Sequence, residues 1–195
     1  MGQQNTAMRS ASFPLLDDVI VLADIAMASY RPERIVPALV GGLQGAIANV
    51  GALPAWLLES DGVAPVRRSL YRSPQFGYEV LAITWAPGQG SSVHDHADTW
   101  GVEALLQGQL EVVDYRIAGR HKALTELHPA DHRPLVAGNV IGLLPPHDLH
   151  SCRNAGSRTT AVSLHVYGKQ LQEVLRYTHV EEALYRPERM RLTSV

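Results

Sequence analysis

From Asp17 to about Tyr30 apolar residues return at helical spacing, with Asp17 or Asp18 available to cap the first turn and Arg31-Pro32 to break the run. A second helical pattern starts near Pro32 and runs towards Val50, although Gly41, Gly42 and Gly45 weigh against it at roughly 1 kcal/mol each relative to alanine. The texture changes after Leu57. From Val66 onward short apolar runs are punctuated by Gly, Pro, Asn and Asp, at 69–72, 78–85, 101–106, 109–116, 139–144 and 160–167. Repeated short strands with turn signals predict a mainly β domain, a sandwich or barrel of mainly antiparallel strands with the N-terminal α-helices packed outside it. The stretch Gln170 to Tyr177 suits either a short helix or a further strand, and the Arg-rich end from Leu184 carries no functional signal. There is no internal repeat and no low-complexity segment.

A chain of 195 residues, 46% hydrophobic and 18% charged, has the size and texture of one globular domain. The expected division is helices over about 14–57, a barrel over about 66–168 and a C-terminal extension over 169–195. The net charge of -2 gives no attraction to nucleic acid or to an anionic membrane, so a small-molecule partner is expected. Cys152 is the only cysteine, which excludes an intrachain disulfide and a thiolate-rich zinc knuckle and suits a reducing compartment. The plainest reading of that thiol is a buried small apolar group. Residues Met1 to Phe13 lack the basic start and apolar core of a secretory signal, and the apolar run Val19 to Met27 is too short for a bilayer and contains Asp24. The expectation is a cytoplasmic protein, a monomer or a weak homo-oligomer.

Candidate chemistry centres on His94-Asp95-His96. Residues two apart on a strand share a face, so both imidazoles can reach one ion while Asp95 points away. His150 can supply a third ligand, because it lies at the end of another strand just before the predicted turn Arg153-Asn154-Ala155-Gly156. Three neutral imidazoles would hold a divalent metal without neutralising it, which leaves a cation ready for an anionic substrate. A His-x-His pair by itself is a weak signal, since ordinary surface histidines also occur in pairs.

The surroundings of the pair strengthen it. Gly88, His94, His96 and Gly108, followed by Pro145, His150 and Asn154, resemble the two motif blocks of the cupin superfamily, which implies a double-stranded β-helix (jelly-roll) barrel. Gly101 stands where many cupins carry a glutamate ligand, and Glu103 is offset by two residues, with coordination by it an open alternative. The runs Trp85-Ala-Pro-Gly-Gln-Gly-Ser-Ser-Val-His94-Asp-His96, Trp100-Gly101-Val, Leu106-Gln-Gly108, His150-Ser-Cys-Arg-Asn154 and Ser163-Leu-His165-Val-Tyr167 resemble the cysteine dioxygenase family of thiol dioxygenases, over about Val66 to Tyr167. The resemblance implies a mononuclear non-haem Fe(II) on His94, His96 and His150, with Ser163, His165 and Tyr167 as a hydrogen-bonded catalytic relay. It implies addition of both atoms of O2 to the sulfur of a small carboxylate-bearing thiol, such as cysteine or 3-mercaptopropionate, to give a sulfinic acid.

The relay has support of its own. Residues 163, 165 and 167 share one strand face, and burying three polar groups there without partners would cost on the order of 1 to 3 kcal/mol each. A mutual chain ending near a metal is the simpler arrangement, an outward polar face being the alternative. Mammalian-type family members carry a cysteine at the position of Gly101 that crosslinks to the tyrosine matching Tyr167; glycine makes that impossible here, as in many bacterial members. In the family an arginine upstream of the metal motif grips the substrate carboxylate, and Arg68 lies at the corresponding distance, with Arg67 and Arg72 as alternatives. His147 is expected at the surface or beside the ligands rather than among them. Two other readings stay open: another three-histidine cupin metalloenzyme, such as a carbon-carbon bond cleaving dioxygenase or a zinc hydrolase, and a non-catalytic cupin that binds a metal or a small ligand.

Overall fold

The computed structural model describes residues 13–29, 31–48 and 50–195. Among the described residues two helices, α1 (Pro14–Ser29) and α2 (Pro32–Ile47), and a 3-10 turn at Ala55–Leu57 precede eleven strands. The strands are β1 (Val66–Arg72), β2 (Glu79–Trp85), β3 (Val93–His94), β4 (Gly101–Gln107), β5 (Gln109–His121), β6 (Leu124–Val136), β7 (Val140–Leu143), β8 (His150–Arg153), β9 (Ala161–Tyr167), β10 (Glu173–Glu181) and β11 (Leu184–Arg191). The mainly β architecture with N-terminal helices outside it is the one the apolar pattern predicts.

Both helices open on proline, whose fixed φ suits the first turn and whose missing N–H would have no partner there. The expected cap at Asp17 or Asp18 is therefore corrected. Asp17 lies inside the first turn of α1, where its charge meets the positive end of the helix dipole. The glycines of α2 do not break it, because Ile35, Val36, Leu39, Leu43 and Ile47 bury one continuous face against α1 and the sheet. Gly142 on β7 allows that approach: a Cβ there would stand 2.4 Å from Val36 Cγ1.

One sheet runs β1-β2-β9-β4-β7 and the other closes as β10-β11-β6-β5-β8-β3. Strands β2, β4 and β9 are buried almost throughout because both of their faces are covered. Even-numbered positions such as Val80, Val102, Ala104, Val162, Leu164 and Val166 pack under the helices. Odd-numbered positions such as Leu81, Leu105, Ala161 and Tyr167 point into the barrel. This alternation carries Ser163, His165 and Tyr167 inward as a set.

The long ribbon of β5 with β6 and the pair of β10 with β11 extend well past the apolar runs that announced the barrel. Within the stretch from Gln170 the chain becomes strand at Glu173, the start of β10, and the Arg-rich end contributes β11. No described helix is long and apolar enough to cross a membrane.

Candidate metal centre

His94 and His150 are direct register partners on the antiparallel pair β3 and β8, the meeting that sequence spacing could not show. His96 lies just beyond β3 at the start of a turn, in which Thr99 N donates to His96 O and Ala97 and Asp98 adopt left-handed φ values of 51° and 58°. That turn folds the chain back so that His96 faces the same point as His94. The ligand nitrogens of His94, His96 and His150 all lie within 4.8 Å of one another. Their ring centroids are 4.9 to 5.2 Å apart, His96 and His150 fully buried and His94 half-buried. Asp95 points away, its Oδ1 accepting from the backbone N–H groups of Ala97 and Leu175.

The unpaired atoms fit a cation. His96 Nε2 and both ring nitrogens of His150 are buried without a hydrogen-bond partner among the described residues, a costly condition for polar atoms unless an ion takes them. His94 Nδ1 is bonded to Ser92 O and His96 Nδ1 to Asp148 Oδ2, at 3.0 and 3.1 Å, so each ring presents Nε2 to the centre. Loss of water, and then the neighbouring His96 ring, lower the His94 pKa to about 4; burial likewise depresses His150. Both rings are therefore neutral near pH 7, the form that coordinates a metal.

Asp148 was not singled out from the sequence. Its Oδ2 accepts from both the ring Nδ1 and the backbone N–H of His96, each at 3.1 Å. Burial pushes its carboxyl up, but these bonds hold it below the usual range. The only sequence signal was its place two residues before His150. Asp148→Asn is expected to keep the fold and to weaken metal binding roughly 10- to 100-fold, the usual cost of losing the partner of a ligating imidazole. Metal titration of the variant checks this, and an unchanged affinity would leave Asp148 with no such role.

Beside the imidazoles runs a buried polar line. Trp85 Nε1 donates to Ser163 Oγ at 2.9 Å, Ser163 Oγ lies 2.7 Å from His165 Nε2, and His165 Nδ1 lies 3.0 Å from the Tyr167 hydroxyl. Tyr167 O–H then donates to Glu103 Oε1 at 3.1 Å, and its ring stacks on His96 with centroids 5.4 Å apart. Burial first, and then the Glu103 carboxylate, push the Tyr167 phenol well above its ordinary pKa, so it keeps its proton. The Trp85 ring packs among the apolar side chains of the barrel, and its N–H begins the line.

Gly101 stands against Tyr167, where a Cβ would lie 2.7 Å from Cε1 of the phenol. The absence of a side chain therefore sets how close the tyrosine ring comes to β4. Glu103, on the same inward face, lies 3.8 Å from His150 Nε2. Its carboxylate clusters as a possible ligand only with His150 and Cys152, and not with His94 and His96. Cys152 is buried and its thiol is pushed well up by burial, so it stays protonated and packs as an apolar group. His147 donates its backbone N–H to Leu144 O in the turn before β8.

Arg68 is not brought to this site. It pairs with Ala82 on the helix-facing side of the sheet, where its guanidinium donates to Thr84 Oγ1 and Glu59 O, both at 2.8 Å. A register shift between Ser69 and Tyr71 changes the relation between sequence distance and face. Arg67, opposite Ile83, and Arg72, opposite Glu79, share the barrel-facing side. Arg67 is the more buried of the two, with 12% of its side chain exposed against 52%, and its Nη2 meets Glu79 Oε2 at 3.1 Å. Its Nη1 also donates to Ser194 Oγ near the C-terminal end. A cavity of about 340 Å³ opens beside it, lined also by Ser69, Arg72, Glu79, Gln170 and Ser194.

Two sheets wrapped around an inward three-imidazole cluster define a cupin-type barrel with a site able to hold a metal. The chain belongs to the Cysteine dioxygenase type I family, whose model matches residues 67–180, more than half of its length. It is 30% identical over 95 residues to Cysteine dioxygenase type 1 of Danio rerio, covering 49% of this chain and 47% of that protein. The Bos taurus protein of the same name is 30% identical over 90 residues, 46% of this chain and 44% of the relative. Each match thus spans a little under half of the relative's own length. Among solved structures, a Klebsiella pneumoniae protein with a double-stranded β-helix domain aligns with TM-score 0.46 and 15% identity, over 62% of this chain and 85% of its own. A Cupin 2 conserved barrel domain protein of Salinispora arenicola aligns at 0.41 and 21%, over 61% and 87%.

Proposed function

We propose that the chain is an Fe(II)-dependent thiol dioxygenase that adds both atoms of O2 to the sulfur of a small carboxylate-bearing thiol and releases a sulfinic acid. The observation that carries the reading is the meeting, in one barrel, of three metal-ready imidazoles with the buried Trp85-Ser163-His165-Tyr167 line. The family supports it, as does the printed name of the Danio rerio and Bos taurus relatives.

His94, His96 and His150 would hold the iron, which keeps its full charge among neutral ligands and, when bound, supplies binding of thiolate and O2 and the electron transfer between them. The protein's own part is position and environment. Leu81, Leu105, Ile141 and Leu143 give the barrel interior an apolar lining that keeps water from the reacting sulfur. Tyr167, stacked on His96, fixes a hydroxyl beside the metal position, and His165 with Ser163 holds that hydroxyl in place.

For the carboxylate, Arg67 takes the role that sequence distance gave to Arg68. Its planar fork suits two parallel hydrogen bonds, and it is the partly buried guanidinium on the barrel side of β1. Arg67→Ala is expected to raise KM for carboxylate-bearing thiols about 10- to 100-fold, the equivalent of a charged hydrogen bond of roughly 1.5 to 3 kcal/mol, with a thiol lacking a carboxylate little affected. Arg68→Ala is expected to leave that ratio alone and to lower stability through its lost bonds to Thr84 and Glu59. Steady-state kinetics on the two variants decide between them: an effect confined to Arg68→Ala would return the role to Arg68.

The whole reading is tested by metal analysis with an oxygen electrode and a panel of thiols. Iron together with thiol-dependent O2 uptake is the expected result. A zinc protein that consumes no O2 with any thiol would contradict it.

A further inference from the structure

Glu79 is a buried carboxylate that neither the metal centre nor the polar line beside it uses. It is 1% exposed, opens the otherwise mostly apolar β2, and pairs in register with Tyr167 on the barrel-facing side. A charge placed there is costly without partners. Among the described residues its partners all lie on β1: Arg67 Nη2 at 3.1 Å, Ser69 Oγ at 2.8 Å and Arg72 Nη2 at 3.8 Å. They lie on both sides of the register shift between Ser69 and Tyr71, so one carboxylate gathers β1 across its irregularity. A slip of one residue would bring Leu70 to the place from which Ser69 donates, and Arg68 to the barrel face in place of Arg67. Glu79 opposes that slip.

The outer edge of β1 is held as well. β1 ends its sheet, but beyond β11 the chain runs back along it: Val195 N–H donates to Arg67 O at 3.0 Å and Ser69 N–H donates to Val195 O at 3.3 Å. Leu192 N–H donates to Gln172 O, just ahead of β10, so the segment 192–195 ties the two sheets together. It also brings Ser194 Oγ to Arg67 Nη1.

A guanidinium has two hydrogens on each terminal nitrogen. Ser194 takes one from Nη1 and Glu79 takes one from Nη2, which leaves one on each for a ligand. A single carboxylate needs two such donors side by side. The charges agree with that count, because Arg67, Arg72 and Glu79 together leave a net positive charge beside the cavity of about 340 Å³ that they line with Ser194.

We infer that Glu79 and Ser194 are positioning residues that hold Arg67 from two sides on the barrel face of β1, with two donors left for the carboxylate of the substrate. Each acts through the guanidinium and not on the substrate itself. The ligand chemistry rests on the thiol dioxygenase reading, whereas the hold on Arg67 rests on the geometry of β1.

The test compares 3-mercaptopropionate with propane-1-thiol, in which a methyl group replaces the carboxylate. Binding is measured calorimetrically without oxygen on the zinc-loaded protein, and KM and kcat on the iron-loaded protein. Wild type is expected to prefer 3-mercaptopropionate. Glu79→Ala is expected to lower that preference about tenfold and to raise KM for 3-mercaptopropionate with kcat little changed, because the guanidinium is no longer preorganised. Glu79→Gln, which keeps an acceptor for Arg67 and Ser69, is expected to lose less. Ser194→Ala is expected to act in the same direction by about threefold, the worth of one hydrogen bond. In the Arg67→Ala background Glu79→Ala is expected to lower the preference no further, and a merely structural role would weaken both thiols alike. An unchanged or increased preference in Glu79→Ala, a full effect of Glu79→Ala without Arg67, or a wild type with no preference would overturn the inference. If Glu79→Ala does not fold, Glu79→Gln and Ser194→Ala decide by the same ratio. If no thiol consumes O2 with iron, the dioxygenase reading falls, and the binding ratios on zinc still decide the roles of Glu79 and Ser194.

Discussion

His150→Ala is expected to yield a folded protein that retains almost no metal and turns over no thiol. The imidazole is fully buried, its ring nitrogens have no protein partner among the described residues, and it sits opposite His94 in register. Its removal takes away a ligand, a larger loss than the roughly 10- to 100-fold expected for the supporting carboxylate of Asp148. The fold should survive. The His150 side chain makes no hydrogen bond among the described residues for the barrel to lose, and the small cavity costs at most a few kcal/mol. Metal content after dialysis, with circular dichroism as the control for folding, checks the outcome. Full metal content in the variant would remove His150 from the site.

Tyr167→Phe is expected to separate metal binding from chemistry. The hydroxyl touches His165 and Glu103 but no imidazole of the metal cluster, so metal content should match wild type. The phenyl ring can keep its stack on His96. Loss of the oxygen leaves Glu103 and His165 without the group they bracket, which costs about 1 to 3 kcal/mol of local stability. It also removes a hydroxyl that His165 and Glu103 hold beside the His96 ring. Turnover is expected to fall by at least about tenfold, equivalent to roughly 1.4 kcal/mol in the barrier, with kcat affected more than KM. Unchanged turnover would take the tyrosine out of the mechanism.

The parts of this protein that read well from sequence are those governed by local periodicity. The buried face of α1, Leu15, Val19, Ala23 and Ala26, repeats at helical spacing. The central strands β2, β4 and β9 announce themselves because both faces are covered and their apolar runs are unbroken. The ribbon strands were harder. β6 carries Pro129 and Pro134, β11 carries Pro187, and both are rich in charged residues because much of their surface faces water. Their strand character comes from long-range pairing with β5 and β10, which local propensity does not contain.

The candidate site divides along the same line. His94, His96 and the 163-165-167 set follow from motif and alternation, while the His94 to His150 register is a property of the folded barrel. Arg68 shows the failure most clearly: counting residues found the strand, and the bulge at Leu70 put the neighbouring Arg67 on the barrel face instead. Asp148 and Glu103 meet their partners across the barrel, 52 and 62 residues from His96 and His165 respectively, so the sequence, which offers Glu103 only as an alternative ligand, does not contain those contacts.

The central claim is that sulfur receives both oxygen atoms at the three-histidine centre. Turnover of a carboxylate-bearing thiol under isotopically labelled O2, followed by mass spectrometry of the product, measures it directly. A sulfinic acid carrying two labelled oxygens in wild type, and none from His150→Ala, is the predicted result. A disulfide product, or a sulfinic acid whose oxygens come from water, would contradict the account.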